Sequence, residues 1–374
     1  MLIRRELSDA RHNKDSIMNS VTAYTSWPET DLEHLGVCPL CNSQKRHVKY
    51  SNLTDDIFQC APGLWSFWEC DSCRVIYLDP RPTPSSVHRA YSAYYTHQMT
   101  REEAAIHTLF GGMLYKIQVA IRNSYLRKYL GYQHSYYAPF GWLVYKIFPL
   151  RVEITNTTIR HLPYPTGTSQ KLLDIGCGNG EFLELARSLG YDAEGLEIDA
   201  TAQVVASGRG FIVHRGLTPG SGLPVNSYDS VTLSHVLENM HSPIEALKEL
   251  FHLLKAKGRI WISTPNSMAA SHAVLGGNKL LLDAPRHLTL FNVDVLTSHL
   301  HRIGFHNIKI MPPSWNDSKN FYCRGWFALH HKDAMNAPLG TIPEEVMAAA
   351  LSSHRDFSLN NNHAETIVLT AEKI

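Results

Sequence analysis

Three alternating glycines form the segment of this chain whose residue types most clearly indicate chemistry. Gly176, Gly178 and Gly180 follow an apolar run at 172–175 and precede a stretch with helical spacing. Glycine lets the backbone take a positive φ and lets a ligand approach without meeting a Cβ. The free N–H groups at the start of the following helix can bind an electronegative group. The pattern predicts a ligand-binding turn, with a tight turn of purely structural purpose as the alternative.

Two further features indicate the kind of ligand. The spacing G-x-G-x-G differs from the G-x-G-x-x-G of dinucleotide-binding loops, which disfavours a dehydrogenase. Glu197 ends the next predicted strand about 20 residues further on, where a carboxylate can bind both hydroxyls of a ribose. Asp229 begins a later strand that runs on into Ser234, His235 and Glu238. Together the turn and Glu197 predict a ligand that contains a ribose.

The second group of chemically suggestive residues is a set of paired cysteines. Cys38 and Cys41 form one Cys-x-x-Cys pair, and Cys70 and Cys73 form another. Four thiolates can complete a closed tetrahedral zinc site, which is structural because no position remains for a substrate. Such a site would help to fold a small module. Four unrelated buried thiols are the alternative, and Cys60, between the pairs, is expected to lie outside the site.

The elements that must position these residues follow from the patterning after residue 170. Short apolar runs alternate with helical spacing, which is typical of a parallel sheet with crossover helices. The predicted strands lie at 171–175, 193–198, 211–214, 228–234, 259–264, 307–310 and 366–371. The predicted helices lie at 181–189, 200–207, 243–254 and 293–302, with Ser242 as an N-cap of the third. This order predicts an α/β fold with a doubly wound, seven-stranded, Rossmann-like sheet.

The chain divides into four regions: a polar N-terminal segment at 1–36, a zinc-binding module at 37–97, a helical cap or linker at 98–165, and the sheet domain at 166–374 with an insertion at 312–363. Residues 101–151 carry seven Lys or Arg against two acidic residues, among many aromatic side chains. That region could be a lid, a membrane-surface face or, as the favoured interpretation, a packed cap. The insertion is expected to contact substrate.

Several motifs resemble a known family. LLDIGCGNGEFL, GLEID and YDSVTLSHVLENMHSPIEAL occur in that order over about residues 170–311, and they look like successive motifs of class I S-adenosylmethionine-dependent methyltransferases. The resemblance implies that the turn glycines and Asp174 wrap the methionine and ribose of the cofactor, and that Glu197 holds the ribose hydroxyls. The other implied cofactor-site residues are Cys177 in the loop, Ile198 against the adenine, Leu217 and Thr218 beside its edge, and His235 closing the pocket.

The N-terminal layout adds a finer resemblance. CPLC and CDSC followed by RVIYLDPRPTP look like a branch of these enzymes that carries a zinc-binding module ahead of the core and includes sugar C-methyltransferases. DAPRHL at 283–288, with Phe291, resembles enzymes of polysaccharide and secondary-metabolite pathways. The resemblance implies a small-molecule acceptor, namely a sugar, a nucleotide-sugar or a lipid-linked glycan, that is methylated on oxygen or carbon.

Methyl transfer to an oxygen or an acidic carbon benefits from a general base. His287 is the first candidate because histidine titrates near neutrality, and Arg286 beside it could bind a phosphate or carboxylate of the substrate. His235 and Glu238, after the fourth sheet strand, are the second candidates. The alternatives are that Arg286 and His287 only hold their own loop, and that Glu238 is a solvated residue.

The bulk properties set limits on partners and location. The chain has 374 residues, 35 Lys or Arg against 34 Asp or Glu, and a formal charge of +1, which disfavours nucleic acid as the main partner. An RNA methyltransferase with a zinc module and an inactive binding module remain as alternatives. The absence of a signal peptide or membrane span in the sequence predicts a cytoplasmic protein, with peripheral contact to the inner membrane face left open.

Overall fold

The computed structural model describes residues 26–92, 109–166, 170–330, 342–356 and 361–374. Within these, the strands are β1 (Leu32–Glu33), β2 (Arg46–Leu53), β3 (Trp65–Cys70), β4 (Ile76–Leu78), β5 (Arg81–Pro82), β6 (Gln170–Ile175), β7 (Tyr191–Glu197), β8 (Ile212–Arg215), β9 (Tyr228–Ser234), β10 (Leu254–Pro265), β11 (Thr289–Leu290), β12 (Phe305–Met311) and β13 (Thr366–Lys373).

The α-helices of the same residues are α1 (Leu109–Leu130), α2 (Leu143–Ile147), α3 (Leu150–Thr158), α4 (Glu181–Ser188), α5 (Ala200–Gly208), α6 (Pro243–Leu253), α7 (Ala270–Val274), α8 (Lys279–Leu282), α9 (Val293–Ile303), α10 (Trp315–His330) and α11 (Glu344–Asp356). Most of the predicted N-terminal segment 1–36, and the start of the predicted region 98–165, lie outside the described residues.

The predicted seven-stranded sheet is confirmed. Its order is β12-β13-β10-β9-β6-β7-β8, and each predicted strand and crossover helix is present. All neighbours pair in parallel except β13, which runs antiparallel to both β10 and β12. The central strand β6 is apolar on both faces because Leu172 and Leu173, each fully buried, pack into two separate core clusters. From β6 the chain adds β7 and β8 on one side, and then returns to add β9 and β10 on the other side. Ligands of open α/β sheets bind in the crevice at such a switch point, here between β6 and β9.

Helix starts in this domain are set by side chains that bind the first N–H groups. Asp199 caps α5 by accepting from Thr201 and Ala202, and Asn292 caps α9. Ser242 occupies the N-cap position of α6, but its side chain makes no capping hydrogen bond, so the predicted cap is wrong in that detail. Pro243 at the first turn supplies the helical φ instead.

The cysteine module and the sheet domain share a second sheet. Its order is β11-β4-β3-β2, so the strand β11, which comes from the sheet domain, completes the sheet of the module. Phe67, Ile76 and Leu78 of the module pack in one core with Leu288 and Leu290 of the β11 segment. The two regions that the sequence separates are therefore joined by backbone pairing and by a common core. Among the described residues, none of the helices has the length and apolar character of a membrane span.

Candidate active site

The turn between β6 and α4 has backbone conformations that glycine adopts without strain. Gly176, Gly178 and Gly180 have φ values of +66°, +54° and +84°. A Cβ on Gly176 would lie 2.6 Å from Cγ2 of Val236, so no side chain fits there. Bare backbone and the amino end of α4 thus meet at the carboxyl end of β6. This surface fits a ligand that must approach the main chain closely.

Glu197, at the end of β7, contacts the glycine turn directly. Its Oε2 accepts the Gly178 N–H at 2.8 Å, and its Oε1 accepts the Asp199 N–H at 2.9 Å. Burial raises the pKa of Glu197, although these backbone hydrogen bonds oppose the change. Each carboxylate oxygen keeps a second lone pair, which matches the two hydroxyls of a ribose. The structure therefore brings together the two features from which the sequence predicted a ribose.

The side chains around Glu197 differ in what they offer a ligand. Ile198 and Leu217, after β7 and β8, are 58% and 51% exposed, so both offer apolar surface that suits a flat apolar ring. Thr218 is buried, and its hydroxyl has no hydrogen-bond partner among the described residues. Cys177 is buried against Gly195, whose missing Cβ makes room for the sulfur. Cys177 therefore acts as a packing residue of the loop.

Asp174 lies behind the site and positions an arginine that the sequence analysis missed. Its carboxylate is buried, pairs with Arg160 and accepts the Thr232 hydroxyl at 2.9 Å. The Arg160 guanidinium also donates to the Thr232 hydroxyl at 2.8 Å and lies 3.5 Å above the centre of the Phe182 ring. Arg160 lines the cavity, whereas Asp174 does not, so contact of Asp174 with the cofactor stays a prediction. Arg160 belongs to no sequence motif.

A cavity of about 350 Å³ opens beside the carboxyl end of β9. Its walls come from the end of α3, the start of α4, the strands β9 and β10, and the insertion after β12. The lining residues are Thr157, Thr158, Arg160, Glu181, Phe182, Leu185, Ser234, His235, Trp261, Ser263, Ser314, Asn316 and Asp317. A larger opening of about 560 Å³ lies at the amino ends of the same strands, among Lys171, Glu194 and Lys255, away from the turn.

His235 and Glu238 form a polar pair at this cavity. The His235 backbone is left-handed, with φ +55°, and its N–H donates to the Ser263 carbonyl at 2.9 Å. Its Nδ1 lies 3.4 Å from Oε1 of Glu238, which is fully buried and accepts the Thr264 hydroxyl at 2.8 Å. Burial alone would lower the pKa of His235, but the Glu238 carboxylate raises it overall. Conversely, the nearby histidines lower the pKa of Glu238 against the effect of its burial.

Asp317 is a second residue that the sequence analysis did not find. It lies in the first turn of α10, within the predicted insertion, and lines the same cavity as His235. Burial raises the pKa of Asp317, and the charge of His235 opposes this rise. One turn further along the helix, the Phe321 ring lies 5.7 Å from the His235 ring. The interpretation that the insertion shapes the site therefore gains support, through a carboxylate that no motif marks.

The structure corrects the role expected of Arg286. This residue is 1% exposed, and its guanidinium donates to Asp55 of the cysteine module and to Asp283. It also donates to the Ala90 carbonyl at 2.9 Å and contacts the Cys60 sulfur. All three nitrogens are engaged, so none remains for a phosphate or carboxylate of a substrate. Arg286 holds the module against the sheet domain instead.

His287 is similarly enclosed. Its Nδ1 donates to the Leu281 carbonyl at 2.7 Å, which leaves Nε2 as the free nitrogen. Nε2 lies 3.8 Å from Glu238 and 3.9 Å from Asp283, and the residue is 8% exposed. His287 is absent from the cavity wall, whereas His235 belongs to it. The geometry therefore favours His235, the second candidate, over His287, and places His287 as a neighbour of Glu238.

The paired cysteines converge as the sequence predicted. The Sγ atoms of Cys38, Cys41, Cys70 and Cys73 all lie within 4.8 Å of one another. The Sγ separation is 3.6 Å between Cys38 and Cys73 and 3.5 Å between Cys41 and Cys70. A tetrahedron of sulfurs about 2.3 Å from zinc has edges of about 3.8 Å, so this set fits a zinc ion. Cys60 lies outside the cluster, as expected, and its thiol donates to the Ala90 carbonyl.

Comparison with known proteins agrees with this geometry. Residues 150–310 match a family described as Methyltransferase domain. The chain is 26% identical over 200 residues to the ubiquinone biosynthesis O-methyltransferase of Glaesserella parasuis, an alignment that covers 50% of this chain and 78% of that protein. It is 36% identical over 107 residues to the mitochondrial ubiquinone biosynthesis O-methyltransferase of Schizosaccharomyces pombe. That alignment covers 26% of this chain and 38% of that protein.

Among solved structures, a SAM dependent methyltransferase from Archaeoglobus fulgidus superposes with a TM-score of 0.42 at 23% identity, over 63% of this chain and 100% of that chain. The family match contains the glycine turn, Glu197, His235 and the sheet strands β6 to β10, and the cysteine module lies outside it. The glycine turn and Glu197 thus lie within the matched segment. Residues 150–310 of the chain therefore form an S-adenosylmethionine-dependent methyltransferase domain.

Proposed function

We propose that this enzyme methylates an oxygen or an acidic carbon of a hydroxylated small molecule, with His235 as the general base. The observation that carries the proposal is that His235 lines the cavity beside the glycine turn and has the buried Glu238 carboxylate 3.4 Å behind it. An imidazole next to a buried carboxylate can accept a proton near neutral pH. Glu238 stabilises the imidazolium that forms, because it keeps its charge at that position.

The residues that would hold the cofactor surround the turn. Gly176, Gly178 and Gly180 supply bare backbone, Glu197 binds the ribose hydroxyls, and Ile198 and Leu217 cover the adenine. Arg160, held by Asp174, provides a positive charge for the cofactor carboxylate. S-Adenosylmethionine supplies a methyl group on a sulfonium centre, which is the electrophile of the reaction. The chain itself positions the acceptor and removes its proton.

Proton removal is assigned to Nε2 of His235. Nδ1 lies 3.4 Å from Glu238, so a neutral ring with its proton on Nδ1 keeps the lone pair of Nε2 for the acceptor. Asp317 contributes further negative charge near the ring, which favours the protonated imidazole once the proton has moved. Arg160 opposes this effect from the other wall of the cavity.

The class of acceptor is proposed from the cavity wall. Hydroxyl groups of Thr157, Ser234, Ser263 and Ser314, with the Asn316 amide, match an acceptor rich in hydroxyls, such as a sugar, a nucleotide-sugar or a lipid-linked glycan. A phenolic acceptor is the second candidate. The names of the relatives favour it, as do the Trp261 and Phe182 rings in the same wall. The zinc site requires reduced thiolates, which supports a reducing compartment such as the cytoplasm.

Calorimetry tests the cofactor site. Glu197→Gln is expected to weaken S-adenosylmethionine binding about 10- to 100-fold, because hydrogen bonds to a charged group are lost. Asp192→Asn, an exposed change on the same strand β7, is the matched control and should leave the affinity unchanged. Equal affinities of the Glu197→Gln variant and the unaltered chain would contradict the assignment.

Transfer of a labelled methyl group to a panel of sugars, nucleotide-sugars and phenols tests the base and the acceptor. His235→Asn is expected to lower kcat about 10²- to 10⁴-fold with little change in cofactor affinity. His252→Asn, an exposed change on α6, is the control. In the unaltered chain the rate should fall as pH drops through the raised pKa of His235. Glu238→Gln removes the charge that raises this pKa, so the fall should move to lower pH. An unmoved pH profile would exclude the pair as the base.

A further inference from the structure

The helix α1 and the segment after it form a hairpin with an unusual surface. After Leu130 the chain turns back along α1, and the Ala138 N–H donates to the Ala120 carbonyl at 3.0 Å. The Asn123 side chain donates to the Tyr136 carbonyl at 2.9 Å, and the Tyr136 hydroxyl donates to the Lys116 carbonyl at 3.2 Å. We call residues 113–148 the aromatic-basic hairpin.

One part of the hairpin is anchored in the protein core. The Tyr125 and Tyr145 rings stack with centres 4.2 Å apart, and both side chains are buried. Leu126 and Tyr132 are also buried, and the Tyr132 hydroxyl donates to the Leu162 carbonyl at 2.9 Å. This part agrees with the packed cap that the sequence favoured. It also holds the rest of the hairpin in a fixed position.

The remaining part exposes large apolar side chains in a density found nowhere else in the described residues. Eleven of the 23 exposed large apolar residues lie within these 36 positions. They are Met113, Leu114, Tyr115, Ile117, Tyr129, Tyr136, Tyr137, Phe140, Leu143, Ile147 and Phe148. Phe140 is 71% exposed and has φ +63°, a conformation that is unfavourable for a bulky residue. Such a clustered apolar surface on a folded protein indicates a partner that covers it.

The charge of the same surface indicates the chemistry of that partner. The sequence has no Asp or Glu between Glu103 and Glu153. Five exposed cationic residues lie along the hairpin and at the start of α3, namely Lys116, Arg127, Lys128, Lys146 and Arg151. Lys128 and Lys146 lie 5.5 Å and 5.3 Å from the centre of the Trp142 ring, so two of these cations lie directly beside an aromatic ring of the hairpin. A second copy of this chain would bring like charges together, which disfavours self-association through this face.

We propose that the aromatic-basic hairpin docks on an anionic lipid bilayer. Aromatic rings concentrate at the level of lipid headgroups, and cations beside them bind anionic headgroups, so the two signals act together. The helix α3 begins two residues after Phe148 and carries Thr157 and Thr158 to the wall of the active-site cavity. Docking would thus place a bilayer beside the helix that shapes this cavity. The inference concerns location and does not depend on the proposed acceptor or base.

Vesicle co-sedimentation of the full chain, without cofactor or acceptor, tests the proposal. The chain should bind vesicles of equimolar phosphatidylglycerol and phosphatidylcholine, and should bind phosphatidylcholine alone at least tenfold more weakly. Binding should fall as salt rises, since exposed charges are screened. Lys116→Glu with Lys146→Glu should weaken binding about 25-fold or more, because each basic residue near the surface contributes about fivefold. Lys309→Glu, an exposed change on β12, is the charge control.

The apolar contribution has its own variant. Phe140→Gly with Ile147→Ser removes two exposed side chains, and the glycine suits the positive φ at position 140, so the fold is expected to persist. This variant should lose at least tenfold in vesicle binding while its affinity for S-adenosylmethionine stays unchanged. Val225→Ser, at a residue 63% exposed before β9, is the matched control. Equal binding to both kinds of vesicle, unchanged binding of the paired variants, or a dimer that Phe140→Gly dissociates would overturn the proposal.

Discussion

The buried pair between Asp55 and Arg286 makes a quantitative prediction about how the cysteine module is attached. Both side chains are 1% exposed, and the two residues are separated by 231 positions in the chain. Asp55 also accepts the Cys60 and Ala61 N–H groups at 3.0 Å each. Asp55→Asn would leave the guanidinium with Asp283 as its one remaining carboxylate partner among the described residues. Breaking a buried ion pair on one side costs about 3–5 kcal/mol, and the retained amide oxygen places this variant near 3 kcal/mol.

Urea unfolding followed by tryptophan fluorescence measures this cost, since Trp27 and Trp65 lie in the module core. Asp56→Asn is a matched control, because the neighbouring Asp56 pairs with Lys279 while both side chains are about a quarter exposed. The loss from that partly exposed pair should be about 0–1 kcal/mol. If the two variants unfold at the same urea concentration, the reasoning that Arg286 joins the module to the sheet domain is refuted.

The same pair has a predictable dependence on pH. Burial alone would raise the pKa of Asp55, but Arg286 lowers it below its ordinary value of 3.8. A carboxylate with a lowered pKa in the folded state contributes stability that is present above the unfolded pKa and is lost as pH falls through the folded one. The difference in unfolding free energy between the unaltered chain and Asp55→Asn should therefore be constant at neutral pH. It should shrink as pH falls below about 4.

Two further predictions concern the zinc site and the glycine turn. Metal analysis should find about one equivalent of zinc in the unaltered chain. Cys70→Ser should lose the zinc and have a lower Tm, whereas Cys60→Ser should keep the zinc because Cys60 lies outside the cluster. Equal metal content in both variants would count against a four-thiolate site. Gly176→Ala should destabilise the fold by about 1–3 kcal/mol more than Gly178→Ala, because a new Cβ at position 176 meets Val236 at 2.6 Å and one at 178 meets nothing within 4 Å. Both changes share the cost of a positive φ, so equal unfolding midpoints would show that the close approach to Val236 is readily relieved.

The sequence by itself determined the features whose partners are close along the chain or whose periodicity is regular. The strand–turn–helix around Gly178, the acidic end of the next strand at Glu197 and the succession of strands and helices along the chain are properties of this kind. The two Cys-x-x-Cys pairs are another, because each pair places two thiolates on one turn. In each case local backbone geometry or ligand chemistry requires a particular residue type at a particular position. These requirements produce characteristic residue spacings that can be recognised in the sequence.

The roles of individual polar residues were decided by the tertiary structure. Arg286 pairs with Asp55 across 231 positions, Arg160 pairs with Asp174, and Asp317 of the insertion lines the same cavity as His235. The strand β11 completes the sheet of a module that the sequence assigned to a separate region. A buried charged side chain must be paired, and its partner can come from any part of the chain that packs against it. The spacing of residues along the sequence therefore does not predict which partner that is. That is why Arg286 was expected to bind substrate while the structure uses it to join two parts of the protein.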